Sequence, residues 1–387
     1  MTDVIRESQN IKSTFLGVGN IVDPMVPNEI GSTAYSVAPS KNYTLALSAV
    51  SFGTIVEFQL PRGLIGDCYL ATDLGALTSG NYCKYPGLAL VQRIEVISGS
   101  NTLQQFDYAP VAHRSLSKIL PSQLVQVLAN SGGTSFASGT CITPLPLFWN
   151  KFGNPSEFLN NNFVVPLNTA LTNAPLKVRL TLRSAANVSA SGSTTGSPTI
   201  SMRMYYNSYT VPSQVQKQFM DNRASYVYRS YDVQTFVPAS TIPDATNTSY
   251  DLKSFIGSVA GVGVLLNTAS NVSTAKDYFA MSEEIDFLEF FIDNNSYWRT
   301  EQQLSLAFDR MLIGEIPGTS STVGSPYFIP FECTQEESVY SGALEMDAIS
   351  SLSVTINQSI GAAGNLSFYA LSNAAFSISG DAFIRQR

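Results

Sequence analysis

The sequence predicts an all-β protein made of two similar sandwiches. Short alternating or wholly apolar runs, separated by Gly, Pro, Asn and Ser, recur through the 387 residues, and helical periodicity is nearly absent. A chain of this length suits two domains of roughly 150 to 200 residues each. Several sequence patterns of the first half, called landmarks below, recur in the same order in the second half, which indicates a duplicated unit.

Strand patterns are clearest in seven segments. These are 43–50, 55–60, 90–97, 200–206, 285–292, 352–356 and 365–371. A further strand, from Leu176 to Arg183, alternates apolar residues with Lys, Arg and Thr, so we expect one buried face and one basic face in contact with water. Helices are expected at 108–120, 121–129 and 213–221, the last capped by Ser213.

Four prolines near the 176–183 strand indicate corners where the chain passes from one sheet to the other, because a central strand does not accommodate proline. The prolines are Pro144, Pro146, Pro166 and Pro175. Phe148 and Trp149 follow the first corner and are expected to fill the core there. The run GVGVLL at 261–266 lacks the third glycine of a dinucleotide-binding loop, so we interpret it as a tight, buried strand.

Three landmarks support the duplication. LALVQRIEVISGSNTLQQF, ending at Phe106, matches IDFLEFFIDNNSYWRTEQQL, ending at Leu304. PLPLFW at 144–149 matches YFIPFE at 327–332, and each precedes an alternating strand, LKVRLTL or LSVTI. TISMRMYYNSYTV, from Thr199, matches LSFYALSNAAFSI, from Leu366. We therefore predict two tandem eight-stranded jelly rolls, with short helices in loops and at the linker.

The predicted domain order begins with an extended N-terminal arm, which orders only against a partner. The boundaries are 1–40 for the arm, 41–212 for the first jelly roll, 213–222 for a helical linker and 223–387 for the second jelly roll.

The stretch from Pro144 to Ser184 joins an L-P-x-F/W run to V-P-L-x-x-L and then to an L-x-V-x-L-x-L-R strand. This pattern resembles the first barrel of the double-jelly-roll major capsid proteins, a family that covers adenovirus hexon, large eukaryotic DNA viruses and tailless bacteriophages with an internal membrane. The resemblance spans most of 41–387 and is most specific from Leu90 to Ser184, including IEVISGSNTL.

That resemblance implies a virion protein, made in the host cytoplasm, whose homotrimers form pseudo-hexagonal capsomers that tile an icosahedral shell. Its partners would be neighbouring capsomers, penton or other minor capsid proteins, and an internal membrane reached through the arm. The modest length implies short surface loops and a small tailless bacteriophage as the source.

Composition agrees with assembly rather than with nucleic-acid binding. Charged residues make up 13% of the chain and hydrophobic residues 44%, so the polarity is mostly uncharged, as expected for faces covered by neighbours. The net charge of −7 and the absence of a basic run argue against sequence-specific or coating contacts with nucleic acid. The opening residues lack a signal-peptide pattern, and the apolar run 259–266 is too short to span a bilayer.

Residues suited to catalysis are scarce, so we expect no enzyme activity and no catalytic, cofactor or metal site. The single histidine, His113, lies in a predicted helix and is interpreted as structural. Acidic residues that could form a glycosidase pair or a calcium site are interpreted as solvated or inter-subunit carboxylates. They are Glu283, Glu284, Asp286, Glu289, Asp293, Glu332, Glu336 and Glu337.

Cysteines and aromatic clusters leave two points open. Cys68, Cys83, Cys141 and Cys333 are expected to be free buried thiols, although a bridge between Cys68 and Cys83 is conceivable. The aromatic cluster 226–231 is expected to pack against the first barrel.

The alternative functions are a β-sandwich carbohydrate-binding protein or glycoside hydrolase, and a minor virion protein such as a spike or vertex component.

Overall fold

A computed structural model describes residues 38–386 except 120, 151, 153–166, 211–226, 283, 302–326, 332–341 and 380. The first half of the chain forms two antiparallel sheets. Its strands are β1 (Ala38–Val50), β2 (Ile55–Gln59), β3 (Leu64–Leu74), β4 (Val91–Ser98), β5 (Asn101–Asp107), β6 (Gly139–Pro144), β7 (Leu167–Asn168), β8 (Leu176–Leu182) and β9 (Ile200–Thr210). One sheet has the order β1-β9-β3-β6, with β7 also on β3, and the other has the order β2-β8-β4-β5.

The second half repeats this arrangement. Its strands are β10 (Val227–Phe236), β11 (Thr248–Asp251), β12 (Ser258–Thr268), β13 (Met281–Ser282), β14 (Ile285–Ile292), β15 (Asn295–Glu301), β16 (Tyr327–Pro330), β17 (Leu344–Glu345), β18 (Leu352–Gln358), β19 (Gly364–Ser379) and β20 (Ala382–Gln386). One sheet has the order β10-β19-β12-β13, with β16 and β17 on β12 and β20 on β19. The other has the order β11-β18-β14-β15.

The two halves correspond strand by strand, which confirms the predicted all-β duplication. The sheet β2-β8-β4-β5 matches β11-β18-β14-β15, and β1-β9-β3 matches β10-β19-β12. In the described residues each half therefore folds as a sandwich of two sheets with eight principal strands, and we call these halves the first and second barrels. The paired landmarks fall on corresponding strands: both strand-turn patterns are hairpins, β4–β5 and β14–β15.

Alternation predicts the buried faces correctly. Along β8 every second residue, from Leu176 to Leu182, is buried, and β18 has the same pattern. Phe148 and Trp149 are 1% and 0% exposed, so they fill the first core as expected. The GVGVLL run lies in β12 and is buried throughout. A Cβ on Gly263 would overlap the Tyr369 ring, so this strand needs glycine for close packing.

Three helices interrupt the first barrel: α1 (Pro86–Leu90), α2 (Tyr108–Lys118) and α3 (Pro121–Asn130). The predictions for α2 and α3 are confirmed. The strand predicted from residue 90 begins at Val91, because Pro86 starts a one-turn helix. That helix is wholly buried and therefore shows no amphipathic period.

Several predicted features lie outside the described residues. They are the arm up to residue 37 and the helix at 213–221, which falls in the predicted linker. The domain boundaries therefore remain predictions.

Candidate assembly interface between the two barrels

Some of the residues considered for catalysis make structural contacts in the described part of the chain. His113 is fully buried on α2. Asp286 accepts a hydrogen bond from the Ser359 hydroxyl at 2.9 Å. Asp293 accepts the backbone N–H groups of Ser350 and Ser351 at 2.6 and 3.0 Å, so its carboxylate fixes the β14–β15 turn. Glu284 and Glu289 lie beside and on β14, while Glu283, Glu332, Glu336 and Glu337 lie outside the described residues.

Neither a metal cluster nor a membrane-spanning helix is found in the described residues. Among them, no group of three or more His, Cys, Asp or Glu side chains could hold a metal ion. No helix in this part of the chain is both long and apolar enough to cross a membrane.

The described cysteines are free and buried. Cys68 and Cys83 are not bridged, and Cys141 is also a free thiol, whereas Cys333 lies outside the described residues. Burial raises the pKa of the Cys68, Cys83 and Cys141 thiols to about 12. These thiols are therefore protonated at neutral pH and poorly nucleophilic.

Buried aromatic side chains join the two barrels. The Phe148 ring of the first barrel stacks on the Phe376 ring of the second, with centroids 4.1 Å apart and planes at 19°. Trp149 packs edge-on against Phe148 at 4.8 Å. Val233 and Phe383 of the second barrel belong to the same buried cluster as the first core. One hydrophobic core thus continues across the junction.

A buried charged group lies within this junction. Asp232 on β10 is 1% exposed, and its carboxylate lies 2.5 Å from the Arg385 guanidinium on β20. Burial raises the Asp232 pKa to about 6, although the positive charge of Arg385 favours the charged form. The desolvation cost therefore exceeds the attraction of the ion pair.

Strand β20 of the second barrel forms hydrogen bonds with the tip of the β4–β5 hairpin. The Phe383 N–H donates to the Ser98 hydroxyl at 3.0 Å, and the Asn101 amide donates to the Phe383 carbonyl at 3.3 Å. Just before β20, the Asp381 carbonyl accepts the Ala174 N–H at 2.8 Å. These bonds to backbone groups fix the position of β20 along the first barrel.

Strand β10 contacts the first barrel as well. The Asp107 N–H donates to the Thr235 hydroxyl at 2.8 Å. The expected packing of the 226–231 cluster is not tested, because those side chains lie outside the described residues. Residues 232–235 of the same strand do make the junction.

The charged side chain of Arg183 lies at the edge of the junction between the two barrels. The Arg183 guanidinium lies 4.0 Å from the centroid of the Tyr278 ring of the second barrel. It donates to the carbonyls of Ala89 and Val91 at 2.6 and 2.7 Å. Burial lowers the Arg183 pKa. Arg183 follows β8 on the face predicted to contact water, and it is only partly exposed because the Tyr278 ring of the second barrel lies against its guanidinium.

The outer faces of the two matched sheets differ in chemistry. On the first barrel, Arg179 on β8 pairs with Glu57 on β2 at 2.6 Å and with Glu95 on β4 at 3.2 Å. On the second barrel the corresponding β18 residue, Thr355, exchanges a hydrogen bond with Ser249 at 2.8 Å. The first face thus carries a charged ladder that is partly exposed to water, whereas an uncharged hydroxyl pair takes the place of Arg179 and Glu57 on the second.

The fold is similar to those of several solved structures, of which three are described. PBCV-1 VP54 has a TM-score of 0.69 at 14% identity over 94% of this chain and 99% of that one. The Faustovirus major capsid protein has a TM-score of 0.64 at 10% identity over 98% and 99% of the two chains. The STIV MCP has a TM-score of 0.51 at 10% identity over 89% and 97%.

This chain has the double-jelly-roll fold. The matches cover both barrels, so the tandem arrangement is shared and not only a single sandwich. No protein-family model and no curated protein matches the sequence. The fold is therefore established by structure rather than by sequence identity.

Sequence reasoning did not find the junction residues Asp232, Arg385 and Phe383. Asp232 and Arg385 are single charges in ordinary strands, and their burial depends on a barrel more than a hundred residues away. The one available signal was the apolar content of the last segment, AFIR, which is consistent with a buried strand.

Proposed function

We propose that this chain is the major capsid protein of an icosahedral virus and acts as a structural protein without catalysis. One observation carries the proposal: both barrels, in the same tandem order, match major capsid proteins over almost the full length of each chain. A further similar chain comes from a quasi-atomic model of the PBCV-1 virus capsid. A fold hosts many functions, so the proposal needs its own test.

The geometry suggests how such a protein builds a shell. Two barrels fused through a continuous core act as one rigid tile with two similar units. Three copies related by a three-fold axis place six barrels around a ring, which gives six pseudo-equivalent outer edges. Contacts that are heterologous and close on themselves produce such a ring, whereas open contacts produce filaments.

Assembly partners follow from this proposal. Contacts within the homotrimer should be large, above ~2,000 Å² in total, as in obligate assemblies. Contacts with neighbouring capsomers should be smaller and wetter. We assign residues 1–40 to contacts with adjacent capsomers, with penton or other minor capsid proteins, or with an internal membrane.

Light scattering on the purified chain tests the proposal. A stable species of about 125 kDa, three chains of 41.8 kDa, supports it. A chain lacking residues 1–40 should still form trimers if the arm acts only between capsomers. A monomer that binds soluble glycans contradicts the proposal and favours a lectin or glycoside hydrolase. In purified virions a major capsid protein dominates the protein content, whereas a spike or vertex protein is present in few copies.

A further inference from the structure

The second barrel exposes an aromatic surface at the position where the first barrel is covered by its neighbour. The surface consists of Tyr297 and Trp298 on β15 and Phe331 after β16, and we call it the aromatic surface. Tyr297 and Phe331 pack edge to face, with centroids 5.4 Å apart. Tyr297 is 50% exposed, and Trp298 and Phe331 are half-buried.

The hairpins β4–β5 and β14–β15 correspond residue by residue at their tips. Each turns through two residues, 99–100 in the first barrel and 293–294 in the second. Each ladder then shifts register at the same distance from the turn, and the extra residue is Leu103 in one and Tyr297 in the other. A bulge at the same place in both hairpins fixes the alignment.

The aligned residues differ in burial. Leu103 and its neighbour Gln104 are each 1% exposed, because β10 and β20 lie against β5. Their counterparts are Tyr297 and Trp298. The same site is thus fully covered in the first barrel and only partly covered in the second, where Tyr297 is exposed and Trp298 packs in part on the second core.

We propose that the aromatic surface docks on the β1–β9 edge of a second copy of this chain. This proposal rests on the proposed function, since it names the contact that would close the trimer. Strand β1 has the same place beside β9 that β10 has beside β19. A second copy can therefore present to β15 the counterpart of the strands that cover β5 within the chain. Ala46, exposed on β1, lies on that edge.

The chemistry of the surface favours a protein partner. Large aromatic side chains are enriched at the cores of protein interfaces and supply much of their binding energy. The contact is heterologous, with β15 of one copy against β1 of the next, and it closes a ring of three if successive copies are related by a three-fold rotation. The edge offered by the partner includes the partly exposed Leu45 and Leu47, which already pack on the first core.

A pair of arginine substitutions tests the surface in the full-length chain. Tyr297→Arg should raise the dissociation constant of the trimer at least ~30-fold, as for an interface hot spot. Val125→Arg is the matched control, because Val125 is 69% exposed on α3, away from the junction. It should leave the trimer unchanged. Light scattering over a concentration series gives both values, and circular dichroism checks that each variant is folded.

Cross-linking gives a readout that does not depend on weakening the protein. A double variant, Ala46→Cys with Tyr297→Cys, treated with a short bis-maleimide should yield covalent dimers and trimers. Each single variant should give only the background of the unsubstituted chain. The buried Cys68, Cys83 and Cys141 should contribute little to that background.

The outcomes separate this inference from the proposed function. If the unsubstituted chain is trimeric, but Tyr297→Arg remains trimeric and the double variant does not cross-link, the docking surface is wrong and the capsid function stands. Cross-linking of Tyr297→Cys to itself means a two-fold contact and also overturns the inference. If the unsubstituted chain is monomeric at every concentration, the proposed function itself fails.

Discussion

The buried carboxylate at the junction predicts an unusual dependence of stability on pH. Burial raises the Asp232 pKa from 3.8 to about 6 in the folded protein. The folded state therefore binds this proton more tightly than the unfolded chain does. Its contribution to stability grows as the pH falls from about 6 towards 3.8, and the cost of the buried charge is complete above about 6.

Replacing Asp232 with Asn removes the titrating carboxyl group and nearly keeps the shape of the side chain. The gap between 3.8 and about 6 corresponds to roughly 3 kcal/mol, at ~1.4 kcal/mol for each pKa unit. About half of this free-energy difference arises as the pH falls from 7.5 to 5. Relative to the unsubstituted chain, Asp232→Asn should gain about 1.4 kcal/mol of unfolding free energy when the pH is raised from 5 to 7.5.

Urea unfolding at the two pH values, at one fixed protein concentration, measures this difference. Asp73→Asn is the control, because hydrogen bonds from Thr140 and Ser201 and the charge of Arg203 lower the Asp73 pKa. Its stability difference should stay flat over this range and should change only below pH 3.8, with the opposite sign. If Asp232→Asn instead loses stability as the pH rises, the ion pair with Arg385 exceeds the desolvation cost and the reasoning is wrong.

Three further substitutions test the packing, each by urea unfolding. Phe376→Ala removes a ring stacked between the barrels and should cost about 3–5 kcal/mol, whereas Ile55→Ala, at a residue 62% exposed, should change stability by less than ~0.5 kcal/mol. Gly263→Ala forces a methyl group into the Tyr369 ring and should cost about 1–3 kcal/mol; a smaller cost in a Tyr369→Leu background identifies the clash as the cause. Arg183→Met leaves two buried carbonyls without their hydrogen-bond donor and should lower the unfolding free energy by roughly 2 kcal/mol. Arg183→Lys should restore only part of this loss, because the lysine ammonium lacks the planar, forked donors of a guanidinium. Equal stability of the methionine variant and the unsubstituted chain would contradict the rim contact.

Local pattern predicts much of this fold because each barrel is built from strands with one wet and one buried face. The alternation in β8 fixes its register, and the repeat of strand, two-residue turn and strand identifies both hairpins. Proline and aromatic residues at the corners mark the changes between sheets. The duplication is visible in sequence because each half must satisfy the same topology.

The junction could not be predicted in the same way. Asp232 occupies an ordinary strand position, and its burial arises only when Gln104 and Arg385 are brought beside it by the packing of one barrel on another. Arg183 continues a pattern that predicts a wet face, yet Tyr278 covers it. Contacts between units depend on their relative placement, and neither hydrophobic period nor residue type encodes that placement locally.

Single-particle electron microscopy of the purified chain shows directly whether three copies form a ring. We expect particles with three-fold symmetry, each showing six barrel-sized densities around a ring, with the aromatic surface of one copy against β1 of the next. Isolated two-lobed particles at every concentration, each a single pair of barrels, would contradict it.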